Sequence, residues 1–292
     1  LDRIRAAQEG GLPIRGQFFA RTIGILFGLD LSYHPFSLNP SYRPLADLPL
    51  AEKVMALRDR ELRARLLVEE PEDSNPFVVS MVKRTQMLFP LGDPPNYRPA
   101  PEENLAMRAA VMGVSTRDLI YDELLKQDGR AILYCPLGDM SQDARMMFDQ
   151  PGVTLALGDG GAHYGMLCDA SYPTYLLTRL VRDAPAEEAL PLPQAIKALT
   201  RDPAETVGFL DRGLIRTGLK ADLNVIDYDR LRLHQPTVAR DLPSDGKRLS
   251  QKADGYMLTI VSGEITYREG VATGALPGRL IRGATRPAEM IA

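Results

Sequence analysis

Short apolar segments alternate with helical segments from Leu12 to Leu157, and this alternation restricts the fold more than any other feature of the sequence. Leu12–Ala20, Arg130–Tyr134 and Val153–Leu157 have the length and composition of strands. Between the first two lies Leu50–Glu70, in which apolar residues recur at the spacing of a helix. Such alternation is typical of βα units around a parallel sheet. We therefore predict an α/β fold.

The pattern changes near Asp211, where short strand-like segments divided by Gly, Asp and Pro replace the helices. Two of these segments are joined by Ser262-Gly263, and a two-residue connection of this kind predicts a β-hairpin. The sequence thus predicts an α/β domain over residues 1–210 and a smaller β-rich portion over residues 211–292.

Charge and cysteine content exclude several classes of function for the 292 residues. Lys and Arg number 35 and Asp and Glu 38, so the net charge is −3 and no surface is dedicated to nucleic acid or anionic lipid. No apolar run approaches the roughly 20 residues of a membrane span. The two cysteines, Cys135 and Cys168, are too few for a disulfide framework or a four-cysteine zinc site. We expect a cytoplasmic protein with a small-molecule substrate.

The first residue is Leu1 and the first methionine is Met55. A natural start at leucine is unusual, and the opening stretch has no features of a signal peptide. We therefore expect the chain to be the carboxyl-terminal piece of a longer protein.

The most informative stretch is the apolar strand Val153–Leu157 and the polar residues that follow it at once. In parallel α/β proteins, polar side chains just past the carboxyl end of a strand line the active site. Asp159 stands there between glycines, which allow a ligand to approach the backbone closely. A carboxylate in that position can bind a divalent cation or act as a general base. His163 can orient a substrate or donate to the same site.

Two other interpretations of this stretch remain open from the residues alone. Gly158–Gly161 can form a tight turn in which Asp159 bonds its own backbone. The glycines can also form a nest for a phosphate, although that use normally needs a nearby Lys, Ser or Thr. No such residue occurs between Gly158 and Met166, so the phosphate interpretation is the weaker one.

Several stretches together resemble one family of enzymes. They are GDGGAH at 158–163, CDASYPT at 168–174, TRDPAETVGFLDRGLIRTGLKADLNVIDYD at 200–229, IRGQFFARTIGILFGL at 14–29 and GALPGRLIRG at 274–283. These residues resemble the carboxyl-terminal half of the amidohydrolase superfamily, and within it the N-acyl-D-amino-acid deacylases, or D-aminoacylases. The resemblance implies the last strands of a metal-dependent-hydrolase (β/α)8 TIM barrel over residues 1–210, followed by a small β-sandwich portion.

The same resemblance implies a role for Asp159 and a metal ion. In that superfamily an Asp after the last barrel strand binds the catalytic metal and relays protons, and Asp159 matches this position. Such enzymes hold zinc through a His-x-His pair and further histidines, whereas this chain has only His34, His163 and His234, none on a matching motif. We expect the missing zinc ligands to precede Leu1, so that this piece alone is inactive.

Further candidates for substrate contact flank these residues. Gly160 and Gly161 accompany Asp159, and Gln17 and Arg21 lie within or just after a predicted strand. Arg21 suits bidentate pairing with a substrate carboxylate, although a structural ion pair is the alternative role for such a residue. Neither cysteine has an evident base beside it, so both are expected to be buried small hydrophobes.

The resemblance implies metal-dependent hydrolysis of an amide bond, with an N-acyl-D-amino acid as the substrate of the complete protein. Asp159 would be the general base and a metal ligand. Two alternatives remain: another amidohydrolase reaction, such as hydrolysis of a hydantoin or another cyclic amide, and a catalytically inactive binding or scaffold module. A His-x-His upstream of Leu1 would favour the enzyme, and its absence would favour the scaffold.

Overall fold

The computed structural model describes residues 1–138, 144–156, 158 and 163–287. Asp159, Gly160 and Gly161 of the predicted site lie outside these residues. Their neighbours in the sequence, Gly158 and His163, are described.

Helices are concentrated in the first 206 residues. The α-helices are α1 (Asp2–Glu9), α2 (Leu50–Leu57), α3 (Arg60–Val68), α4 (Pro76–Val82), α5 (Leu105–Met112), α6 (Thr116–Leu124), α7 (Lys126–Gly129), α8 (Arg145–Phe148), α9 (Tyr172–Tyr175), α10 (Leu192–Leu199) and α11 (Arg201–Thr206). A π-helix (Leu176–Arg182) continues α9, and 3-10 helices span Pro40–Leu45, Thr85–Met87, Pro101–Glu103 and Pro243–Asp245. None of the described helices has both the length and the apolar character needed to cross a lipid bilayer.

The strands are short. They are β1 (Gly16–Phe18), β2 (Gly24–Phe27), β3 (Phe89–Pro90), β4 (Leu133–Pro136), β5 (Val153–Leu155), β6 (Leu223–Ile226), β7 (Arg232–Leu233), β8 (Thr237–Leu242), β9 (Gly246–Ser250), β10 (Ala253–Asp254), β11 (Tyr256–Val261), β12 (Glu264–Arg268) and β13 (Val271–Ala272). The chain therefore has a mixed α/β architecture, as the sequence predicts.

β1 and β5 form a parallel pair, although more than 100 residues separate them. Gly16 pairs with Val153 and Phe18 with Leu155. Because both strands run in the same direction, the residues that follow each of them leave the sheet at the same edge. This edge carries the predicted site.

The expected parallel sheet is only partly present. β4 pairs antiparallel with β2 and also antiparallel with β3, in the order β2-β4-β3. The prediction of parallel pairing is wrong here because apolar alternation reports burial and not strand direction. Among the described residues the strands do not show a closed barrel or a sandwich, so those two parts of the predicted fold stay predictions.

The antiparallel sheet separates two hydrophobic cores, which explains why its strands are apolar on both faces. Along β2, Ile25 and Phe27 belong to one core and Leu26 to the other. Along β4, Tyr134 shares the core of Leu26, whereas Cys135 lies in the core of Phe27. The core of Leu26 and Tyr134 also contains residues of β1, β5 and the π-helix. The core of Phe27 and Cys135 is filled by α2 to α6.

The carboxyl-terminal residues build antiparallel sheets. Strands β13, β12, β11 and β6 form a four-stranded sheet in that order, and β8 and β9 form a separate hairpin. Ser262-Gly263 joins β11 to β12, and both residues have positive φ, as a two-residue hairpin turn requires. The hairpin prediction is confirmed. Leu231, Leu233 and Leu249 of this part pack into the core of β1 and β5, and the predicted boundary at residue 210 stays a prediction.

Candidate functional site

The candidate site lies at the carboxyl edge of the β1–β5 pair. The Ala156 amide donates to the Phe18 carbonyl at 2.9 Å, so the two chains are still adjacent as they leave the sheet. Arg21 follows β1 by three residues, and Gly158 follows β5 by three. The edge of a parallel pair is where polar residues of different strands meet, and Asp159 comes directly after Gly158.

Close packing against a tyrosine ring requires a glycine at position 158. A Cβ built on Gly158 would lie 1.9 Å from Cδ1 of Tyr172, which is far too short for two carbon atoms that are not bonded to each other. The Tyr172 ring also packs on Phe19, with 5.3 Å between the ring centroids. Gly158 therefore packs against an aromatic pair, and it has a steric role that its place in a glycine-rich stretch of sequence does not reveal.

We expect Gly158→Ala to destabilise the fold by about 1–3 kcal/mol, since the added methyl group must displace the Tyr172 ring. Urea unfolding followed by circular dichroism measures this change. Gly278→Ala is the matched control, because a Cβ at Gly278 has open space around it. Equal unfolding free energies for the two variants would show that Tyr172 does not restrict this position.

Arg21 is buried at this edge, and its charge is paired. Its Nη2 atom donates to Asp169 Oδ1 at 2.6 Å, and the two side chains are only 2% and 9% exposed. The guanidinium also donates to the carbonyls of Thr22 and Cys168, each at 3.2 Å. Burial raises the pKa of the Asp169 carboxyl, although Arg21 opposes that shift. Arg21 as a direct substrate contact stays a prediction.

Aromatic rings enclose the Arg21 guanidinium. Its Cζ atom lies 3.6 Å from the centroid of the Tyr97 ring and 5.2 Å from that of Phe19. Gln251 Nε2 donates to the Tyr97 hydroxyl at 3.2 Å, and the Ser171 hydroxyl donates to Gln251 Oε1. Four separate stretches of sequence thus converge on the edge, and hydrogen bonds and cation–π contacts hold them there.

A cavity of about 250 Å³ adjoins this cluster. One wall is the segment that leads from His163 to α9, and the other is the end of β9. The lining residues are Tyr164, Leu167, Cys168, Asp169, Ala170, Ser171, Arg248, Leu249, Ser250 and Gln251. The Leu249 amide donates to the Tyr164 carbonyl at 2.8 Å and joins the two walls. The cavity has the size of a small-molecule substituent and a mixed polar and apolar lining.

Two of the other predicted contacts, His163 and Gln17, are among the described residues. His163 is exposed and has a φ of 56°, and its carbonyl accepts from the amides of Met166 and Leu167. Gln17 is exposed in the middle of β1, opposite Thr154 of β5. The substrate-binding roles of His163, Gln17, Gly160 and Gly161 stay predictions.

The remaining histidines and cysteines have structural surroundings. Burial lowers the pKa of His34 to about 3, with Lys53 adding to the shift, so this ring is neutral in the core. His234 Nε2 lies 2.7 Å from Asp254 Oδ2 on the surface. Burial raises the pKa of Cys135 and of Cys168 to about 11. Neither cysteine forms a thiolate near neutral pH. The prediction of a buried small hydrophobe is confirmed for Cys135, whereas Cys168 is only half-buried because it lines the cavity.

The described residues do not fit a metal centre by themselves. Within residues 1–138, 144–156, 158 and 163–287, no three side chains of His, Cys, Asp or Glu stand close enough together to hold an ion. A catalytic zinc site needs three protein ligands and an open position. Asp159, the predicted ligand, lies outside these residues.

Tyr97, Asp169 and Gln251 of the cluster, and Arg248 of the cavity lining, have no role predicted from the sequence. Asp169 belongs to the CDASYPT stretch that carries the resemblance, and that stretch is the only signal that could have pointed to it. Tyr97 stands in a proline-rich connection, and Gln251 lies at the end of a hairpin strand. Their meeting depends on contacts between residues 154 positions apart, which no local pattern contains.

Comparison with known proteins gives a family match over most of the chain. The sequence profile of the amidohydrolase family matches residues 1–267. A 5-methylthioadenosine/S-adenosylhomocysteine deaminase from Halobacterium salinarum (strain ATCC 700922 / JCM 11081 / NRC-1) is 32% identical over 160 residues. That alignment covers 50% of this chain and 34% of the deaminase, so the chain matches about a third of that relative's length.

Solved structures of D-aminoacylase are also similar to this chain. One, described as defining a novel subset of amidohydrolases, has a TM-score of 0.35 and 21% identity over 64% of this chain and 36% of its own. Another, described by the functional role of its binuclear metal center, has a TM-score of 0.39 and 17% identity over 93% and 50% of the two chains. The chain spans half or less of each of these proteins.

Proposed function

Because this chain belongs to the amidohydrolase family, we propose that the complete protein is a metal-dependent hydrolase of a carbon–nitrogen bond in a small molecule. The family match over residues 1–267 carries the proposal, and it confirms the resemblance of the sequence motifs at the level of the family. The substrate we propose is an N-acyl-D-amino acid, which is cleaved into a carboxylate and a free D-amino acid.

Asp159 is the residue to which we assign the proton transfers. Its carboxylate takes a proton from a water molecule while the water oxygen attacks the amide carbonyl carbon. The carbon–nitrogen bond then breaks, and Asp159 returns the proton to the departing amine nitrogen. The position of Asp159 supports this role, since it follows Gly158 at the carboxyl edge of the β1–β5 pair. A carboxylate just past the carboxyl end of a strand can contact a ligand that binds at that edge of the sheet.

A bound divalent metal ion supplies charge for the carbonyl oxygen and lowers the pKa of water in enzymes of this kind. We propose zinc as that ion, with Asp159 as one ligand. Within the described residues no group of three or more His, Cys, Asp or Glu side chains could hold the ion by itself, so we propose that further ligands come from outside the described ranges. The proton transfers need only the Asp159 carboxylate from this chain.

The predicted substrate contacts are retained as part of this proposal. They are His163, Gly160, Gly161, Gln17 and Arg21. We also propose that residues 1–210 contribute the last strands of a (β/α)8 barrel and residues 211–292 a β-sandwich portion. The free state of both cysteines supports a reducing, cytoplasmic environment.

A second candidate is hydrolytic deamination of a nucleoside. The 32% identity with the Halobacterium salinarum protein over half of this chain favours it. In this case water attacks a ring carbon and ammonia leaves, so the same general base serves both reactions. The two candidates differ in the group released: an amino acid in one and ammonia in the other.

An assay of the released group tests the proposal and separates these candidates. The protein translated from the complete open reading frame is incubated with N-acetyl-D-leucine, N-acetyl-L-leucine, hydantoin and 5-methylthioadenosine, and free amino acid and ammonia are measured. We expect D-leucine to be released faster than L-leucine. Ammonia released from the nucleoside would favour the deaminase. Ring opening of hydantoin would favour the cyclic-amide reaction, and the absence of product from every substrate would favour the scaffold.

A further inference from the structure

The cavity beside the candidate site, the hairpin pocket, has one wall from each half of the chain. Its lining residues are Tyr164, Leu167–Ser171 and Arg248–Gln251. Ser171, one of these residues, is followed directly by Tyr172, whose ring packs against Gly158. Asp169, also in the lining, is paired with Arg21 at the carboxyl edge. The pocket lining is therefore continuous with residues that contact Gly158 and Arg21.

Arg248 supplies the positive charge of this lining. Its side chain is 35% exposed, and its guanidinium donates to both oxygens of Asp241 on β8 at 2.8 and 2.7 Å. Asp241 is itself 51% exposed, so solvent and solutes reach both partners of the pair. A bound carboxylate would replace Asp241 and take over its two hydrogen bonds.

The other charges at the pocket are already committed. Asp169 accepts from Arg21, whose guanidinium is almost fully enclosed and stacked on Tyr97. The Cys168 thiol is protonated near neutral pH, and the Ser171 hydroxyl is bonded to Gln251. Among the residues that line the hairpin pocket, a single exchangeable cation thus stands beside the apolar side chains of Leu167 and Leu249.

We propose that Arg248 binds the carboxylate of the N-acyl-D-amino acid and thereby determines specificity for an acid over its amide. A guanidinium binds a carboxylate through two parallel hydrogen bonds, which fixes direction as well as charge. Leu167 and Leu249 contact the apolar part of the substrate. The proposal rests on the proposed function. A phosphate dianion would call for a second free cation, which the lining does not offer.

The backbone around Arg248 is fixed well enough to serve this role. The Leu249 amide bonds the Tyr164 carbonyl at 2.8 Å, and Gln251 Nε2 donates to the His234 carbonyl at 2.7 Å. On the other side, Lys247 Nζ donates to the Asp30 carbonyl at 2.9 Å. β9 is thus tied to three other segments, while the Arg248 side chain itself remains partly exposed.

Binding of a matched acid and amide tests the proposal. The affinities of N-acetyl-D-leucine and N-acetyl-D-leucinamide are measured by calorimetry in the Asp159→Asn background, in which turnover of the acid is slow, with Arg248 intact and with Arg248→Gln. We expect the variant to bind the acid about 10- to 100-fold more weakly, the range expected for a lost charge-assisted hydrogen bond, and the amide equally well. Arg248→Lys should recover part of the loss. In turnover, KM for the acid should rise while kcat stays within a few-fold.

Arg240→Gln is the matched control. Arg240 lies on the same hairpin and pairs with exposed Asp245 at 3.1 Å, but it does not line the pocket, so acid binding should be unchanged. Equal weakening of acid and amide by Arg248→Gln, or no weakening of either, would overturn the proposal. A wild-type protein that prefers acid to amide but hydrolyses neither would support the pocket and count against the proposed function. If Arg248→Gln hydrolysed the acid with a normal KM, the result would support the proposed function and count against the role of Arg248.

Discussion

Replacing Asp159 by Asn in the complete protein is expected to lower turnover of an N-acyl-D-amino acid by about 10²–10⁴-fold. Asn keeps the size and the turn-forming capacity of Asp, but its amide does not accept a proton from water and is a weaker metal ligand. The unfolding temperature should therefore change little. Steady-state kinetics and thermal unfolding of the same preparation measure the two effects separately.

Asp254→Asn serves as the control for this substitution, since Asp254 is a surface partner of His234 in the carboxyl-terminal part. It should leave turnover within a few-fold of the wild type. If Asp159→Asn also retained turnover within a few-fold, Asp159 would be a turn residue, the alternative that the glycines around it leave open.

Replacing Arg21 by Met is expected to destabilise the fold by about 3–5 kcal/mol. The side chains of Arg21 and Asp169 are almost fully buried, so loss of the cation leaves a carboxylate without its partner in an apolar setting. The variant also loses the stacking of the guanidinium on Tyr97. Urea unfolding of the variant measures the change.

Two further variants separate the ion pair from general damage. Arg201→Met removes an exposed i,i+4 pair with Glu205 and should cost less than about 1 kcal/mol. The double variant Arg21→Met with Asp169→Leu should be less destabilised than the sum of its single changes, because no buried charge remains. Additive effects would show that Arg21 and Asp169 do not depend on each other.

Local signals in the sequence identify part of this fold. Ser262-Gly263 predicts its hairpin because a two-residue turn with positive φ is specified by the residues in it. The strand before Gly158 is predicted by its apolar run. By contrast, β4 runs antiparallel to β2, and the apolar run of β4 carries no information about its direction.

The candidate site shows the same division between local and distant information. Asp159 is predicted from its position after a strand, but Tyr97 and Gln251 become visible only when the chain is folded. Arg21 is suited to a substrate carboxylate by residue type, but its bond to Asp169, 148 positions along the chain, appears only in the structure. Residue types in a sequence indicate candidate binding groups. Whether an arginine is free to bind a ligand or is already paired depends on burial and on partners far along the chain.

Metal dependence of D-amino acid release is the most direct measurement of the central claim, which is that this member of the amidohydrolase family is part of a metal-dependent hydrolase. The rate of D-leucine release from N-acetyl-D-leucine is followed for the complete protein as purified, after chelation, and after zinc is returned. The proposed function predicts that release stops on chelation and recovers with zinc. Release that continues unchanged after chelation, or that never occurs under any of the three conditions, would contradict it.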